Sequence, residues 1–189
     1  MPEVILPHGG FENLKSFQLA RLIFDITTRF AEIYVDAKSR TRDQMTQAAR
    51  SGVQNIAEGS AAAATGRKIE LKLTNVARAS LVELQLDYQD FLRQHELPEW
   101  SKDHPALLDF KRRRIADMAA FREWVRDVRE TMPQTRQSTI VANGALSLLN
   151  LTIYRLMKQL EAQATTFEQE GGFTEGLYRT RQNRRSEKK

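Results

Sequence analysis

The sequence predicts an all-α protein, an up-down four-helix bundle with one extra inserted helix between helix 3 and the C-terminal helix. Two observations predict this fold class. Apolar residues recur at spacings of three and four over long segments, and no segment alternates between apolar and polar residues with a period of two. Because 189 residues suffice for one domain with a substantial core, we expect residues 12–172 to form a single helical domain.

The first predicted helix runs from about Glu12 to Ala37, after a Pro- and Gly-rich arm of residues 1–11 that we expect to be flexible. Charged residues of alternating sign line one narrow strip of this helix. The remaining apolar arc covers about 200°, twice what an amphipathic surface helix needs. We therefore expect the second side of this helix to be buried against another subunit.

The second predicted helix contains the stretch QMTQAARSGVQNIAEGS, residues 44–60. Thr41 with Gln44 three residues later has the pattern of a capping box, which would begin the helix. Gly52 and Gly59 lie on a face of small residues, although a glycine inside a helix costs roughly 1 kcal/mol relative to alanine. Their presence indicates that neighbouring helices approach closely at this face.

The opposite face of the second helix is polar and includes Arg50 and Glu58, with Asn55 at the border between the two faces. Side chains three and four residues apart can hydrogen-bond along a helix. The polar face is either a solvated surface or a second contact surface. Glu58, close to Asn55, is either a buried acid or a structural hydrogen-bonding group.

The third predicted helix runs from about Arg67 to Glu96, after a turn near residues 64–67, and carries apolar residues on two sides. Pro98 ends this helix, because proline cannot continue the hydrogen-bonding pattern. In the loop that follows, we expect Trp100 to fold back onto the bundle.

The inserted helical segment covers residues 98–138 and contains one predicted helix at about residues 105–132. The last helix is predicted at about residues 139–170, where a pair of glycines stops it. On one flank of the inserted helix, four cations fall within about 60° of helix surface. We call this predicted surface the basic ridge; it consists of Lys111, Arg122, Arg126 and Arg129.

The C-terminal tail, residues 173–189, ends in RTRQNRRSEKK, which has six Lys or Arg residues and one Glu. The whole net charge of +5 therefore lies in residues 179–189, and residues 1–178 are neutral. We expect the tail to be disordered alone and attracted to polyanions such as nucleic acid; the alternative is a solubilising terminus without a partner. The candidate contacts are Arg179, Arg181, Arg184 and Arg185.

No stretch has the form of a catalytic motif, and none predicts a cofactor. None of the three histidines follows a glutamate at the spacing of a di-metal bundle site, so we predict no metal site. The chain has no cysteine, which excludes disulfides and thiolate sites. No run of 18 apolar residues and no signal-peptide pattern are present, so we expect a cytoplasmic protein without a membrane partner.

The stretch at residues 44–60, followed by KLTNVARASLVELQLDYQDFL from Lys72, resembles the four-helix-bundle family first recognised in proteins encoded by intervening sequences of bacterial large-subunit ribosomal RNA genes. The accessory protein of diversity-generating retroelements belongs to the same family. The ending FEQEGGFTEGLYRTR from Phe167 is similar to the longer branch called four-helix-bundle suffix-domain proteins. Together the matches cover helices 1 to 3 and the C-terminal third.

The resemblance implies a bundle that associates into a ring, a pentamer in the best-understood relatives, with no enzymatic activity of its own. It also implies nucleic-acid binding together with a reverse transcriptase, as in the retroelement relative. Four residues fall on the family motif, where the resemblance implies a structural or subunit-contact role: Arg50, Asn55, Glu58 and Gly59. This chain departs from the short relatives in the inserted segment, which could cover a ring surface.

We therefore expect a non-enzymatic oligomeric accessory protein that binds nucleic acid, RNA in the first place, through its phosphates. The basic ridge and the tail would supply the contacts, and nothing in the chain resembles a base-reading motif. The alternative is a protein–protein scaffold or adaptor without a nucleic-acid role, because basic helix flanks serve either purpose.

Overall fold

A computed structural model gives the structure of the protein and describes residues 10–63 and 66–170. These residues form six α-helices and a short 3₁₀ helix, with no β-strand among them, which confirms the all-α class. Residues 1–9 of the predicted arm and the whole predicted tail lie outside the described residues. The elements are the 3₁₀ helix Phe11–Asn13, α1 Lys15–Tyr34, α2 Arg40–Ala62, α3 Arg67–Gln94, α4 Pro105–Arg113, α5 Met118–Thr131 and α6 Gln137–Glu170.

Four long helices surround the main core, because α1 and α3 each pack against both α2 and α6. The largest fully buried side chains come from all of these helices and from α5. In the middle of the core, the Tyr88 hydroxyl on α3 donates to Thr27 Oγ1 on α1 over 3.0 Å. Burial raises the pKa of Tyr88, so this hydroxyl stays protonated and the bond links the two helices.

The wide apolar arc of α1 is covered by the chain itself. Leu22 and Ile26 on one side of the arc are 4% and 2% exposed, and Phe17 on the other side is 6% exposed. The expectation that α1 needs another subunit to bury its second side is therefore wrong for these residues, because α2, α5 and α6 together enclose the helix. Ile33 differs, since 55% of it remains exposed.

The small face of α2 contacts α3 very closely. A Cβ atom added at Gly52 would lie 2.6 Å from Leu81 Cδ2, and one added at Gly59 would lie 3.3 Å from Leu73 Cβ. A larger side chain at Gly52 would displace Leu81, which is fully buried. The packing of α2 on α3 thus accounts for a glycine in the middle of a helix.

The beginning of α2 differs from the predicted capping box. The helix begins at Arg40, and Ser39 is its N-cap, with Ser39 Oγ accepting a hydrogen bond from the Thr41 backbone N–H over 3.2 Å. Thr41 therefore lies inside the first turn and cannot cap it. Ser39 lacks the Glu or Gln three residues later that a capping box requires, since Arg42 stands there, but it has the extended backbone of an N-cap.

The inserted segment contains two helices, so the prediction of a single helix over residues 105–132 is wrong. Arg114 adopts a left-handed conformation with φ of 52° and ends α4. Asp117 then begins α5 as its N-cap, accepting from the Ala120 backbone N–H over 2.8 Å. Between them Ile115 turns inward and is 5% exposed, so its burial accompanies the break.

Two tight contacts hold the inserted helices together and against α6. Trp124 Nε1 on α5 donates to the Ala106 carbonyl on α4 over 3.2 Å. Gly144 on α6 faces the same ring, and a Cβ there would lie 2.7 Å from Trp124 Cζ3 and 2.9 Å from Phe121 Cε2. The inserted segment is therefore packed into the protein rather than attached to its surface.

The loop after α3 folds back onto the helices, as predicted for Trp100, which packs half-buried against the core. Asn143 on α6 holds this loop. Its Oδ1 accepts from the Trp100 backbone N–H over 2.7 Å, and its Nδ2 donates to the Pro98 carbonyl over 3.0 Å. The side chain of Asn143 is 1% exposed, so it satisfies buried backbone groups of the loop.

By length and composition alone, α6 could cross a membrane, because residues 137–169 contain a window with mean hydropathy of 1.3. However, 56% of that window is buried inside the protein. Helices in the core of a water-soluble protein have the same composition. This property is therefore weak evidence for a membrane location.

Candidate nucleic-acid interface

The predicted basic ridge is divided between two surfaces. Lys111 lies on α4 and lines a groove between α4 and α6, whereas the three arginines lie on α5 and line a groove between α1 and α5. The prediction of one ridge is therefore wrong. Its physical reason is the break at Arg114, which ends the helical periodicity that would have aligned Lys111 with Arg122.

The α4–α6 groove has a volume of about 1190 Å³ and a basic lining. It joins α1, the loop after α3, α4 and the middle of α6. A single acidic residue, Glu99, lies among the lining residues. The basic lining residues are Lys15, Lys102, Lys111, Arg114 and Arg155.

The cations of the α4–α6 groove are largely free to meet a polyanion. Lys111 Nζ donates to the Lys102 carbonyl over 2.9 Å, and Lys15 Nζ donates to Gln18 Oε1 over 2.9 Å. Both partners are neutral. Within the described part of the chain, Arg155 is exposed and forms no ion pair.

The groove continues along α6 towards a second cavity of about 640 Å³, which shares Lys15, Leu151, Tyr154 and Arg155 with it. Tyr154 is 54% exposed, although it is a large aromatic side chain. Nucleic-acid bases stack on exposed aromatic rings without regard to sequence. Tyr154 among these cations is therefore suited to a single-stranded nucleic acid.

The α1–α5 groove has a different character, with a volume of about 600 Å³, an apolar floor and a basic rim. Arg29 of α1, which pairs with Glu32 over 3.2 Å, stands on one side. Arg122, Arg126 and Arg129 of α5 stand on the other, and Glu130 is the one acid of the lining. Tyr34 also lines the groove, where burial raises the pKa of its hydroxyl and the nearby charge of Arg129 opposes that shift. Arginines on both sides thus face an apolar surface.

An acidic cleft lies on another surface, between α1, α2 and α3, with a volume of about 1070 Å³. Its lining includes four acids, Glu32, Asp43, Glu83 and Asp87, and one cation, Arg42. Burial raises the pKa of Asp87, and the neighbouring charges of Asp90 and Glu83 raise it further. Positive and negative charges are therefore segregated on different surfaces of the molecule.

The polar face of α2 is largely exposed. Asn55 Nδ2 donates to the Ser51 carbonyl over 2.9 Å and to Ser51 Oγ over 3.1 Å, and Ser51 shares a hydrogen bond of 2.9 Å with Ser80 of α3. Arg50 and Glu58 are exposed. The alternative of a buried acid at Glu58 is therefore wrong, because its carboxylate faces outward.

Sequence reasoning missed most of the α4–α6 groove. Lys15, Lys102, Arg114 and Arg155 come from four separate segments, and only the fold brings them beside Lys111. One signal was available on α6, an otherwise apolar helix whose basic residues are Arg155 and Lys158. Residues Arg179, Arg181, Arg184 and Arg185 of the tail lie outside the described residues.

Among the described residues, no three His, Asp or Glu side chains come together as a metal site. Comparison with protein-family models finds no match, and neither the curated proteins nor the solved structures provide a match for the chain.

Proposed function

We propose that this chain is a non-enzymatic oligomeric accessory protein that binds nucleic acid, RNA in the first place, through its phosphates. The observation that carries the proposal is the charge of the α4–α6 groove, where five cations face one acid. Phosphate contacts by Lys and Arg dominate the affinity for nucleic acids and release bound counterions. The last part of the tail, residues 179–189 with six cations and one acid, adds a second polycationic element.

The same groove supports binding without base readout. Its cations come from exposed positions on several elements, and its exposed aromatic residue, Tyr154, offers a stacking surface that accepts any base. We therefore propose weak contacts that are indifferent to sequence.

The proposal includes an up-down bundle of α1, α2, α3 and α6 and its self-association into a ring, for which the family resemblance suggests a pentamer. A ring would multiply the grooves and tails by the number of subunits, and avidity would strengthen weak single contacts. The resemblance also suggests a reverse transcriptase as a partner. We propose the cytoplasm as the location.

The test is fluorescence anisotropy with mixed-sequence RNA and DNA at several salt concentrations. The logarithm of the binding constant should fall linearly with the logarithm of the salt concentration. We expect a slope of about −0.7 per neutralised phosphate on single strands and about −0.9 on duplex DNA. Lys111→Glu with Arg155→Glu should weaken binding about tenfold or more, and deletion of residues 179–189 should weaken it and flatten the slope.

A matched control is Lys38→Glu with Lys72→Glu, which changes the net charge equally at two exposed lysines outside the grooves. This control should bind nearly as well as the intact protein. Absence of binding by the intact protein even at about 50 mM salt would refute the nucleic-acid proposal. The scaffold or adaptor function would then take its place.

A further inference from the structure

We propose that the α1–α5 groove is a docking site for an acidic amphipathic helix of a partner protein. This function is separate from nucleic-acid binding and uses a different surface of the molecule. Three features of the groove support it: an exposed apolar residue, Ile33, beside an apolar floor, arginines on both sides, and walls formed by α1 and α5.

The floor of the groove is apolar and mostly buried within the chain, and Ile33 is the residue that would gain from an apolar occupant. The floor is formed by Phe30 of α1, by Phe121 and Val125 of α5, and by Val141 of α6. Ile33 completes it and leaves 55% of its surface in water. Apolar side chains inserted here would remove this surface from water, which is the main favourable contribution to docking a helix in a groove.

The rim of the groove requires an acidic occupant. Arg129 Nη1 bonds only the neutral Gln137 Oε1 over 3.2 Å, and Arg122 has no partner within the described residues. Arg126 has two distant acidic neighbours, Glu123 and Asp127, each at 3.7 Å. Such exposed pairs contribute little and can be replaced by carboxylates of a partner.

The dimensions of the rim match a short helix. Arg122 and Arg129 are seven residues apart on α5, so they mark out about 10 Å along this helix, or two helical turns. A partner helix with apolar residues at i, i+3, i+4 and i+7 presents a stripe of this length. Acids on both flanks of that stripe would meet Arg29 on one side and the α5 arginines on the other.

Nucleic acid fits this groove less well than an acidic helix. Phosphates could pair with the arginines, but a sugar–phosphate backbone would leave the aliphatic surface of Ile33 exposed. The aromatic rings of the floor, Phe30 and Phe121, are 1% and 3% exposed, so they offer no stacking face. The α4–α6 groove, in contrast, has the exposed ring of Tyr154.

The test uses three fluorescein-labelled helical peptides of about 18 residues. The first has the leucine stripe with glutamates on both flanks, the second has lysines in place of the glutamates, and the third keeps the glutamates but has serines in place of the leucines. The intact protein should bind the first peptide saturably below about 200 μM and the other two about tenfold more weakly or worse.

Charge reversal at the rim gives the sharpest result. Arg122→Glu with Arg126→Glu should weaken binding of the acidic peptide about tenfold or more and should strengthen binding of the lysine peptide. Ile33→Glu should abolish acidic-peptide binding, whereas Leu108→Glu, at a residue 50% exposed on α4, should leave it unchanged. Circular dichroism checks that each variant remains folded; the changed residues are exposed and tolerate charge.

The outcomes separate this proposal from nucleic-acid binding. Lys111→Glu with Arg155→Glu should reduce RNA binding while the acidic peptide still binds. The rim variant, Arg122→Glu with Arg126→Glu, should weaken binding of the acidic peptide and leave RNA binding intact. The proposal is overturned by the absence of saturable binding, by equal binding of all three peptides, or by insensitivity to charge reversal at the rim. It is also overturned if mixed-sequence RNA displaces the peptide and the rim variant no longer binds RNA. That pair of results would assign this groove to nucleic acid.

Discussion

Asn143 is the residue whose polar atoms link the loop after α3 to the helical core. It lies in α6 among apolar residues, and its amide bonds to Trp100, Pro98 and Thr139 are all 3.0 Å or shorter. A buried amide is tolerated in a core when its donors and acceptor are satisfied, as they are here. The residue therefore fixes the position of the loop that begins the inserted segment, and with it one edge of the α4–α6 groove.

Asn143→Ala should destabilise the protein by about 1–3 kcal/mol, because the Trp100 N–H and the Pro98 carbonyl lose their buried partner. The measurement is urea unfolding followed by circular dichroism. Asn150→Ala is the control on the same helix, since Asn150 is exposed and bonds only Gln85, and it should cost less than about 0.5 kcal/mol. Equal effects of the two substitutions would contradict this account of Asn143.

At the scale of single residues, the sequence predicts packing better than it predicts polar roles. The glycine at position 52 indicates close packing because its cost in a helix needs compensation, and the contact with Leu81 is present. The role of Asn143 has no such local signal, since its loop partners Trp100 and Pro98 lie more than 40 residues away in sequence. The role of Arg50 and Glu58 as family-motif residues stays a prediction.

At the scale of elements, periodicity predicts the long helices well and the inserted segment poorly. The predicted end of the last helix coincides with that of α6, and its predicted start differs by two residues. The break between α4 and α5 occurs without proline or glycine, so it has no strong sequence signal. This break also explains why the prediction of the basic ridge is wrong, because that prediction assumed one uninterrupted helix.

The docking of α5 onto α6 depends on the space above Gly144. Gly144→Ala should destabilise the protein by up to about 2 kcal/mol, because the strain against two rigid aromatic rings exceeds the gain of about 1 kcal/mol in helix propensity. It should also weaken acidic-peptide binding, since α5 forms one wall of the α1–α5 groove. Urea unfolding and the peptide assay measure the two effects.

Phe121→Leu provides the matching rescue, because it shortens one of the two rings that face Gly144. The double variant should be more stable than the sum of the two single effects predicts, as expected for residues in contact. Strict additivity would contradict the proposed clash. A stabilising Gly144→Ala substitution would contradict it as well.

At the scale of the whole molecule, the sequence based self-association on the apolar arcs of the first and third helices, and the structure supports the third more than the first. The arc of α1 is covered within the chain, but α3 exposes Ile69, Val76 and Leu86 by 54%, 37% and 56%. The acidic cleft and the basic grooves lie on different surfaces. An arrangement of unlike surfaces favours head-to-tail contacts, which close into rings when the rotation between subunits allows it.

We therefore expect light scattering coupled to size-exclusion chromatography to give a mass of several 21.7 kDa subunits. Ile69→Glu with Val76→Glu should reduce that mass, because charges at a buried apolar contact cost far more than exposed ones. Leu108→Glu is the control, at an equally exposed apolar residue on α4 rather than α3. A monomer at micromolar concentration would refute self-association, and a multimer unaffected by the α3 variant would place the contact elsewhere.

Since a ring would strengthen each weak phosphate contact by avidity, the α3 variant should also lower RNA affinity without touching the α4–α6 groove.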